Sequence, residues 1–94
     1  MTMAQNRPDV SFVIAAYNAE ETIARAIESA LAQVGVTLEV VVVDDCSTDA
    51  TVQIVRQIAD PRVTVICQSS NGGPAKARNR GIEAASGAWV AVLD

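Results

Sequence analysis

The 94-residue sequence has few aromatic side chains and no histidine. Its only aromatic residues are Phe12, Tyr17 and Trp89. Half of the chain is nevertheless hydrophobic, and most of the apolar side chains are alanine and valine. This balance favours a tightly layered α/β sheet over a loosely packed helical bundle. Because the length is at the low end for an independent domain, we expect the chain to be part of something larger.

Patterns typical of metal sites and of membrane insertion are also missing. Cys46 and Cys67 stand twenty-one residues apart, with no C-x-x-C spacing and no histidine to complete a zinc site, so we expect two reduced thiols. No apolar run approaches the roughly 18 residues of a membrane span, and the opening MTMAQNRP lacks the apolar core of a signal peptide. We therefore expect a cytoplasmic protein, with peripheral attachment to the cytoplasmic face of the membrane left open.

Positive charge is scarce. The chain has seven Lys and Arg residues and eleven Asp and Glu residues, a formal net charge of −4. This charge argues against sequence-independent binding to the phosphate backbone of a nucleic acid. Nucleic acid is therefore not an expected partner. The glycine-rich nucleotide motifs are absent as well, because AAYNAE has no glycine for G-x-G-x-x-G and no G-x-x-x-x-G-K-[ST] occurs.

Apolar runs alternate with helical periodicity along the chain. The runs predict four strands, at residues 10–15, 38–43, 63–67 and 89–93. Apolar stripes and breaker residues between them predict helices over residues 20–33, 50–59 and 74–86. Asn18, with Glu21 three residues later, is a capping pattern for the first helix.

The order βαβαβαβ predicts a Rossmann-like, parallel half-sheet. Strands joined in turn by helices run parallel through right-handed crossovers, which places helices on both faces. We expect the strand order 3-2-1-4, with the first strand central, and a ligand beyond the carboxyl ends of the strands.

Two adjacent carboxylates, Asp44 and Asp45, end the run of four valines that forms the second strand. Burying a charge without a partner costs several kcal/mol, so the pair is expected at the exit of the strand, on the ligand-binding edge. The alternative is that both carboxylates serve only the turn and the helix N-terminus that follow.

The side chains expected at this edge suit a nucleoside diphosphate. Tyr17 can stack on a base, a carboxylate can accept an imide N–H, and Lys76, Arg78 and Arg80 can pair with a diphosphate. Carboxylates at strand ends can also hold magnesium or manganese. The alternative for Tyr17 is a structural tyrosine at the rim, and the alternative for the three cations is a solvated basic face. Asp49 is interpreted as a helix cap rather than a ligand.

Three ordered blocks of the sequence resemble a known family. VSFVIAAYNAEETIARAIESAL, EVVVVDDCSTDATVQIV and NGGPAKARNRGIEAASGAWVAVLD resemble the N-terminal half of family 2 inverting glycosyltransferases, which have the GT-A fold. The resemblance implies a nucleotide-sugar donor, commonly a UDP-sugar, a divalent metal (Mg or Mn), and a glycan or lipid-linked acceptor, in polysaccharide synthesis.

The resemblance also implies roles for particular residues. Tyr17 matches the tyrosine beside the donor base, Asp45 the aspartate that hydrogen-bonds the base, and Lys76 or Arg78 the basic contact to the diphosphate. Ala15 departs from the usual pattern, which leaves only a backbone contact to the nucleotide there. Asp94 matches the first aspartate of the D-x-D metal motif.

The resemblance divides the chain into a flexible N-terminal arm (residues 1–8) and the nucleotide-sugar-binding portion of a transferase domain (residues 9–94), truncated at D-x-D. The catalytic base is expected downstream, so no catalytic residue is assigned and the 94 residues alone are expected to be inactive. We expect self-association through an exposed edge formed by WVAVL. A non-catalytic nucleotide-binding or assembly module is the alternative function.

Overall fold

The computed structural model describes residues 7–93 as a single sheet flanked by helices. Its elements in chain order are β1 (Val10–Ala16), α1 (Ile23–Leu31), β2 (Leu38–Asp44), α2 (Thr51–Gln57), β3 (Val63–Cys67), α3 (Pro74–Ala84) and β4 (Trp89–Leu93). The predicted strands agree with these bounds to within one residue at each end.

The sheet has the strand order β3-β2-β1-β4, and every pairing is parallel. The predicted order and direction are therefore confirmed. Val10 of β1 lies opposite Leu38 on one side and Trp89 on the other, so the two central strands start at the same level. Their carboxyl ends consequently meet at one edge.

Helices cover both faces of the sheet, as predicted. On one face, Val40 and Val42 pack with Ile23 and Ile27 of α1 and with Val55 of α2. The opposite face holds a smaller cluster, in which Val41 and Val43 pack against Ala77 of α3. Successive strand residues point to opposite faces, so the continuous valine run of β2 supplies both clusters.

Helix α3 approaches the sheet closely because small residues line its inner side. A Cβ added to Gly81 would collide with Cγ1 of Val13 and lie 3.1 Å from Cγ2 of Val43. Ala77, one turn earlier, is fully buried. The N-terminus of α3 lies at the carboxyl edge of the sheet, where Gly72 and Gly73 donate to Asp45.

The predicted start of the first helix is wrong. α1 begins at Ile23 rather than near residue 20, and its N-cap, Thr22, makes no side-chain cap hydrogen bond. Asn18 does not cap this helix. Its φ is +48°, and its Oδ1 accepts the N–H of Thr48, thirty residues away. A long-range partner has replaced the local one. The other two helices end two residues earlier than predicted, at Gln57 and Ala84.

Strand β4 forms one edge of the sheet and exposes large apolar side chains. Trp89 is 75% exposed, and Val90 and Val92 are about 40% exposed. Residues 1–6 of the predicted arm lie outside the described part of the chain, but Arg7 donates to the carbonyls of Ser86 and Gly87. Within residues 7–93, no helix is both long and apolar enough to cross a membrane.

Candidate nucleotide-binding site

An open cleft of about 360 Å³ lies at the carboxyl edge of the sheet, between the end of β1 and the start of α3. This size is within the range of small-molecule sites. Its lining residues come from four segments: Ala15, Ala16, Tyr17, Asp45, Asn71, Gly73, Pro74 and Ala77. Three residues proposed from the sequence, Ala15, Tyr17 and Asp45, are thus brought together.

Asp45 is held by the loop between β3 and α3. Its Oδ1 accepts the N–H of Gly72 and its Oδ2 the N–H of Gly73, both at 2.9 Å, while its carbonyl accepts Nδ2 of Asn71 at 3.2 Å. Each carboxylate oxygen can accept two hydrogen bonds, so each retains capacity for a ligand donor. The side chain is therefore buried and fixed, yet able to accept an imide N–H from a base in the cleft.

Asp44 has a different partner. Its Oδ1 accepts the hydroxyl of Ser47 at 2.6 Å and its Oδ2 accepts the N–H of the same residue at 3.0 Å. Asp44 is 3% exposed and does not line the cleft. The two aspartates therefore differ. Asp44 binds the turn that follows, as in the alternative interpretation, whereas Asp45 faces the cleft.

Tyr17 directly follows β1 and keeps its ring accessible. The residue is 54% exposed and lines the cleft. Aromatic rings in such positions can stack on one face of a planar ligand while the other face of the ligand meets the protein. The geometry is compatible with stacking and does not bury Tyr17 in the core.

The predicted cations lie on α3, but they do not line the cleft. Lys76 is exposed, and its stem folds over Gly72, where a Cβ would meet Lys76 Cδ at 2.5 Å. Arg78 is half-buried, and Arg80 is exposed. Lys76 and Arg78 lie about 200° apart around the helix, on opposite flanks of the buried Ala77. The sequence offered Lys76 or Arg78 as the contact to a diphosphate, and the fold places these two residues on different sides of α3.

Asp49 lies beside the first turn of α2. Its carboxylate accepts the N–H of Thr51 at 3.0 Å and the N–H of Glu20 at 3.2 Å, although the N-cap position itself is Ala50. Desolvation raises the pKa of Asp49, but the hydrogen bonds from Thr51 and Glu20 outweigh it, and the pKa is lowered. The residue binds backbone groups, as expected of a capping side chain.

The described residues do not form a metal site by themselves. Within residues 7–93 there is no group of three or more His, Cys, Asp or Glu side chains that could hold an ion. Both carboxylate oxygens of Asp44 and of Asp45 already accept N–H or O–H donors. Asp94, the predicted metal ligand, lies outside the described part of the chain.

A second, wider cleft lies at the amino ends of the strands, and its charged groups are already paired. Arg62 donates to the carboxylate of Asp60 at 2.8 Å, which lowers the pKa of that carboxyl to about 2. Glu39 accepts hydrogen bonds from Ser11 and Ser86. These groups leave little for a ligand to satisfy, and the site at the carboxyl edge is the stronger candidate.

Asn71, Pro74 and Ala77 line the cleft but were not predicted from the sequence. The signal available was their position in QSSNGGPAKARNRG, the segment that leaves the third strand near the predicted ligand edge. These three residues form part of the cleft wall only because α3 packs against β1 and β2. Gly73, with φ +89°, makes the turn that starts the helix there.

A family model described as "Glycosyl transferase family 2" matches residues 11–94, nearly the whole chain. The chain belongs to glycosyl transferase family 2. The family membership suggested by the three sequence blocks is thereby confirmed, and the parallel sheet with its carboxyl-edge cleft agrees with it.

Curated relatives in this family are much longer than the chain. The succinoglycan biosynthesis protein ExoO of Rhizobium meliloti is 67% identical over 87 residues, which are 93% of this chain and 25% of that protein. The Escherichia coli protein WfaP, a UDP-Glc:alpha-D-GlcNAc-diphosphoundecaprenol beta-1,3-glucosyltransferase, is 42% identical over 90% of this chain and 34% of its own length. The chain therefore spans a quarter to a third of these relatives.

Solved structures share both the fold and the sequence pattern. S. aureus TarS in complex with UDP-GlcNAc superimposes with a TM-score of 0.84 at 38% identity, over 92% of this chain and 26% of that one. The mannosyltransferase PcManGT of Pyrobaculum calidifontis, solved with GDP-Man and Mn²⁺, gives a TM-score of 0.75 at 31% identity, over 87% of this chain and 26% of its own. The predicted GT-A type architecture is confirmed.

Proposed function

We propose that this chain is the donor-nucleotide-binding portion of a sugar transferase that uses a UDP-sugar. The observation that carries the proposal is the cleft in which the accessible ring of Tyr17 and the fixed carboxylate of Asp45 meet. The ring stacks on the uracil, and the carboxylate accepts its imide N–H. The UDP-GlcNAc complex of TarS supports this choice of donor.

The remaining donor contacts come from β1 and α3. Ala15 has no polar side-chain group, so it contacts the nucleotide through its backbone at the end of β1. Lys76 or Arg78 pairs with the diphosphate. Arg78 is the stronger candidate of the two because it is half-buried, whereas Lys76 is exposed. Arg78→Ala should therefore weaken UDP binding more than Lys76→Ala in the same titration.

We propose that Asp94 supplies one carboxylate to a divalent metal, Mg²⁺ or Mn²⁺, together with ligands outside the 94 residues. PcManGT, solved with GDP-Man and Mn²⁺, supports a divalent ion in this fold. The ion would neutralise charge on the diphosphate leaving group. Asp94→Asn should remove the Mn²⁺ dependence of UDP binding, and unchanged dependence would contradict the assignment.

The reaction proposed for the full-length protein is transfer of the sugar, with inversion, to a glycan or lipid-linked acceptor in polysaccharide synthesis. The names of ExoO and WfaP support this class of pathway and acceptor. The general base is not assigned to any residue of the chain and is proposed to come from the further sequence that such relatives have. The proposed location is cytoplasmic, free or peripheral at the cytoplasmic face of the membrane, which cell fractionation tests.

Self-association of the 94-residue chain is a further part of the proposal. The outer edge of β4 has no neighbouring strand within residues 7–93, and Trp89, Val90 and Val92 are exposed there. Such an edge favours pairing with a second copy. Light scattering should show a dimer or larger assembly, and replacing Val90 with lysine should shift it towards monomer. A wild-type chain that stays monomeric would contradict this point.

The deciding experiment for function is calorimetry of UDP binding to the full-length protein, including any sequence that continues beyond Asp94, followed by a transfer assay with UDP-sugars and Mn²⁺. UDP should bind more tightly than GDP, and transfer should follow. Binding without any turnover would favour the non-catalytic nucleotide-binding or assembly module. Absence of nucleotide binding would reject both.

A further inference from the structure

Reciprocal hydrogen bonds join the β1–α1 loop (residues 17–22) to the β2–α2 loop and the first residue of α2 (residues 45–51), an arrangement called here the loop clasp. Three successive backbone N–H groups of the first loop donate to side chains of the second. The pairs are Asn18 to Ser47 Oγ at 2.8 Å, Ala19 to Thr51 Oγ1 at 2.8 Å, and Glu20 to Asp49 Oδ2 at 3.2 Å.

The second loop returns hydrogen bonds to the first. The N–H of Thr48 donates to Oδ1 of Asn18 at 2.8 Å, and the N–H of Ala50 donates to Oε1 of Glu20 at 3.0 Å. Donors and acceptors are therefore present on both sides, and the loops cannot slide past each other without breaking several bonds at once.

Hydrogen bonds to residues 45–51 fix the backbone on both sides of Tyr17. On one side, the carbonyl of Ala16 accepts the N–H of Asp45 at 2.9 Å, and on the other the N–H of Asn18 donates to Ser47. Asn18 adopts φ +48°, a left-handed conformation that asparagine tolerates and that turns the chain after Tyr17. The ring is free while its backbone is fixed against the residue that supplies the carboxylate.

Ser47 is oriented by Asp44. Its hydroxyl donates to Oδ1 of Asp44 and its N–H to Oδ2, and Asp44 is almost fully buried. Because the hydroxyl proton goes to the carboxylate, a lone pair of Oγ is left to accept the N–H of Asn18. Asp44 therefore influences the position of the first loop through Ser47, although it does not line the cleft.

We propose that Asn18 and Ser47 are positioning residues for nucleotide recognition, because they fix the Tyr17 ring relative to the Asp45 carboxylate. This inference rests on the proposed function. A base that stacks on the ring must also present its edge N–H to the carboxylate, and both conditions hold only when the two loops keep their spacing. Neither Asn18 nor Ser47 lines the cleft itself.

The test measures UDP binding by calorimetry in the full-length protein. Ser47→Ala removes the acceptor for Asn18, and Asn18→Gly removes the acceptor for Thr48 while allowing the positive φ. Each should weaken UDP binding by roughly three- to tenfold, the range that one lost hydrogen bond produces. Ser47→Thr keeps the hydroxyl and should restore binding. Ser29→Ala, the same change on the exposed surface of α1, should have no effect.

A double-mutant cycle with Tyr17→Ala separates positioning from a general loss of stability. If Ser47 acts through the ring, adding Ser47→Ala to Tyr17→Ala should weaken UDP binding by less than about twofold. An equal factor in both backgrounds, or wild-type affinity in both single variants, would overturn the inference. Should Ser47→Ala fail to fold, Asn18→Gly provides the same cycle at an exposed residue.

The outcome also separates this inference from the function on which it rests. Wild-type protein that binds UDP while both loop-clasp variants bind it equally well would reject the positioning role alone. Wild-type protein that does not bind UDP would reject the nucleotide site and the positioning role together.

Discussion

The carboxylates of Asp44 and Asp45 serve opposite faces of the sheet, although the residues are neighbours in the sequence. Asp44 binds Ser47 in the loop before α2, on the face that α1 and α2 cover, whereas Asp45 binds Gly72 and Gly73 at the start of α3. Because side chains alternate along a strand, one pair of acids at a strand end can organise two separate loops. The cleft lies beside the second of these loops, between the end of β1 and the start of α3.

The carboxylate of Asp45 should be required for nucleotide affinity. Asp45→Ala removes the acceptor proposed for the base and also releases the N–H groups of Gly72 and Gly73, so UDP binding should weaken by about 1–3 kcal/mol, the scale of a lost charged hydrogen bond. Calorimetry with UDP measures the change. Asp60→Asn, which alters a carboxylate far from the cleft, is the control, and equal affinities for Asp45→Ala and wild type would refute the assignment.

The ring of Tyr17 should matter more than its hydroxyl. Loss of base stacking on alanine substitution costs roughly 1–3 kcal/mol, so Tyr17→Ala should weaken UDP binding on that scale. Tyr17→Phe retains the ring and should stay within a few tenths of a kcal/mol of wild type. The same titration compares the three proteins. Equal losses in the two variants would show that the hydroxyl, rather than the ring, makes the contact.

Helix α3 should depend on the absence of a side chain at position 81. Gly81→Ala would gain about 1 kcal/mol in helix propensity, but the new Cβ would collide with Val13 and crowd Val43, and overpacking costs about 1–3 kcal/mol. The cost of overpacking should exceed the gain in helix propensity, so the free energy of unfolding should fall.

Denaturant titration measures that fall. Asn79→Ala, on the exposed side of the same helix, introduces the same residue and should be neutral or slightly stabilising. An increase in stability for Gly81→Ala, matching that of the control, would mean that α3 can move away from the sheet at no cost.

Ionisation of Glu39 should make the free energy of unfolding depend on pH in the acidic range. Desolvation raises its pKa, but hydrogen bonds from Ser11 and from the N–H and hydroxyl of Ser86 outweigh this and hold the pKa below its ordinary value of 4.5. A carboxyl whose pKa is lower in the folded state stabilises the fold above its unfolded pKa, and that contribution is lost as pH falls through the folded pKa.

Glu39→Gln should therefore destabilise the protein at neutral pH, and its difference from wild type should shrink as pH drops below about 4.5. Unfolding curves collected across that range test the prediction. Glu28→Gln, the same change at an exposed carboxylate of α1, is the control. A difference for Glu39→Gln that does not vary with pH would exclude a contribution from its ionisation.

The start of α1 could not be predicted from the local sequence. Asn18 and Glu21 form a recognisable capping pattern, yet α1 begins only at Ile23 because Asn18 and Glu20 bind the loop thirty residues further along. A side chain that can cap a helix can equally accept an N–H from another loop, and sequence spacing does not distinguish the two. The strands were predicted closely because the apolar side chains that dominate them make no hydrogen bonds and so have no such alternative.

The strand order, the two-sided sheet and the edge at which Tyr17 and Asp45 lie follow from the amino-acid sequence alone, because apolar runs joined by parallel connections allow few arrangements. Three other features were visible only in the folded chain. Asn71, Pro74 and Ala77 complete the cleft, α3 separates Lys76 from Arg78, and Asn18 and Ser47 join the two loops. These relationships depend on contacts between residues far apart in the chain, whose geometry is set by how closely α3 packs and by which long-range acceptor each backbone N–H finds.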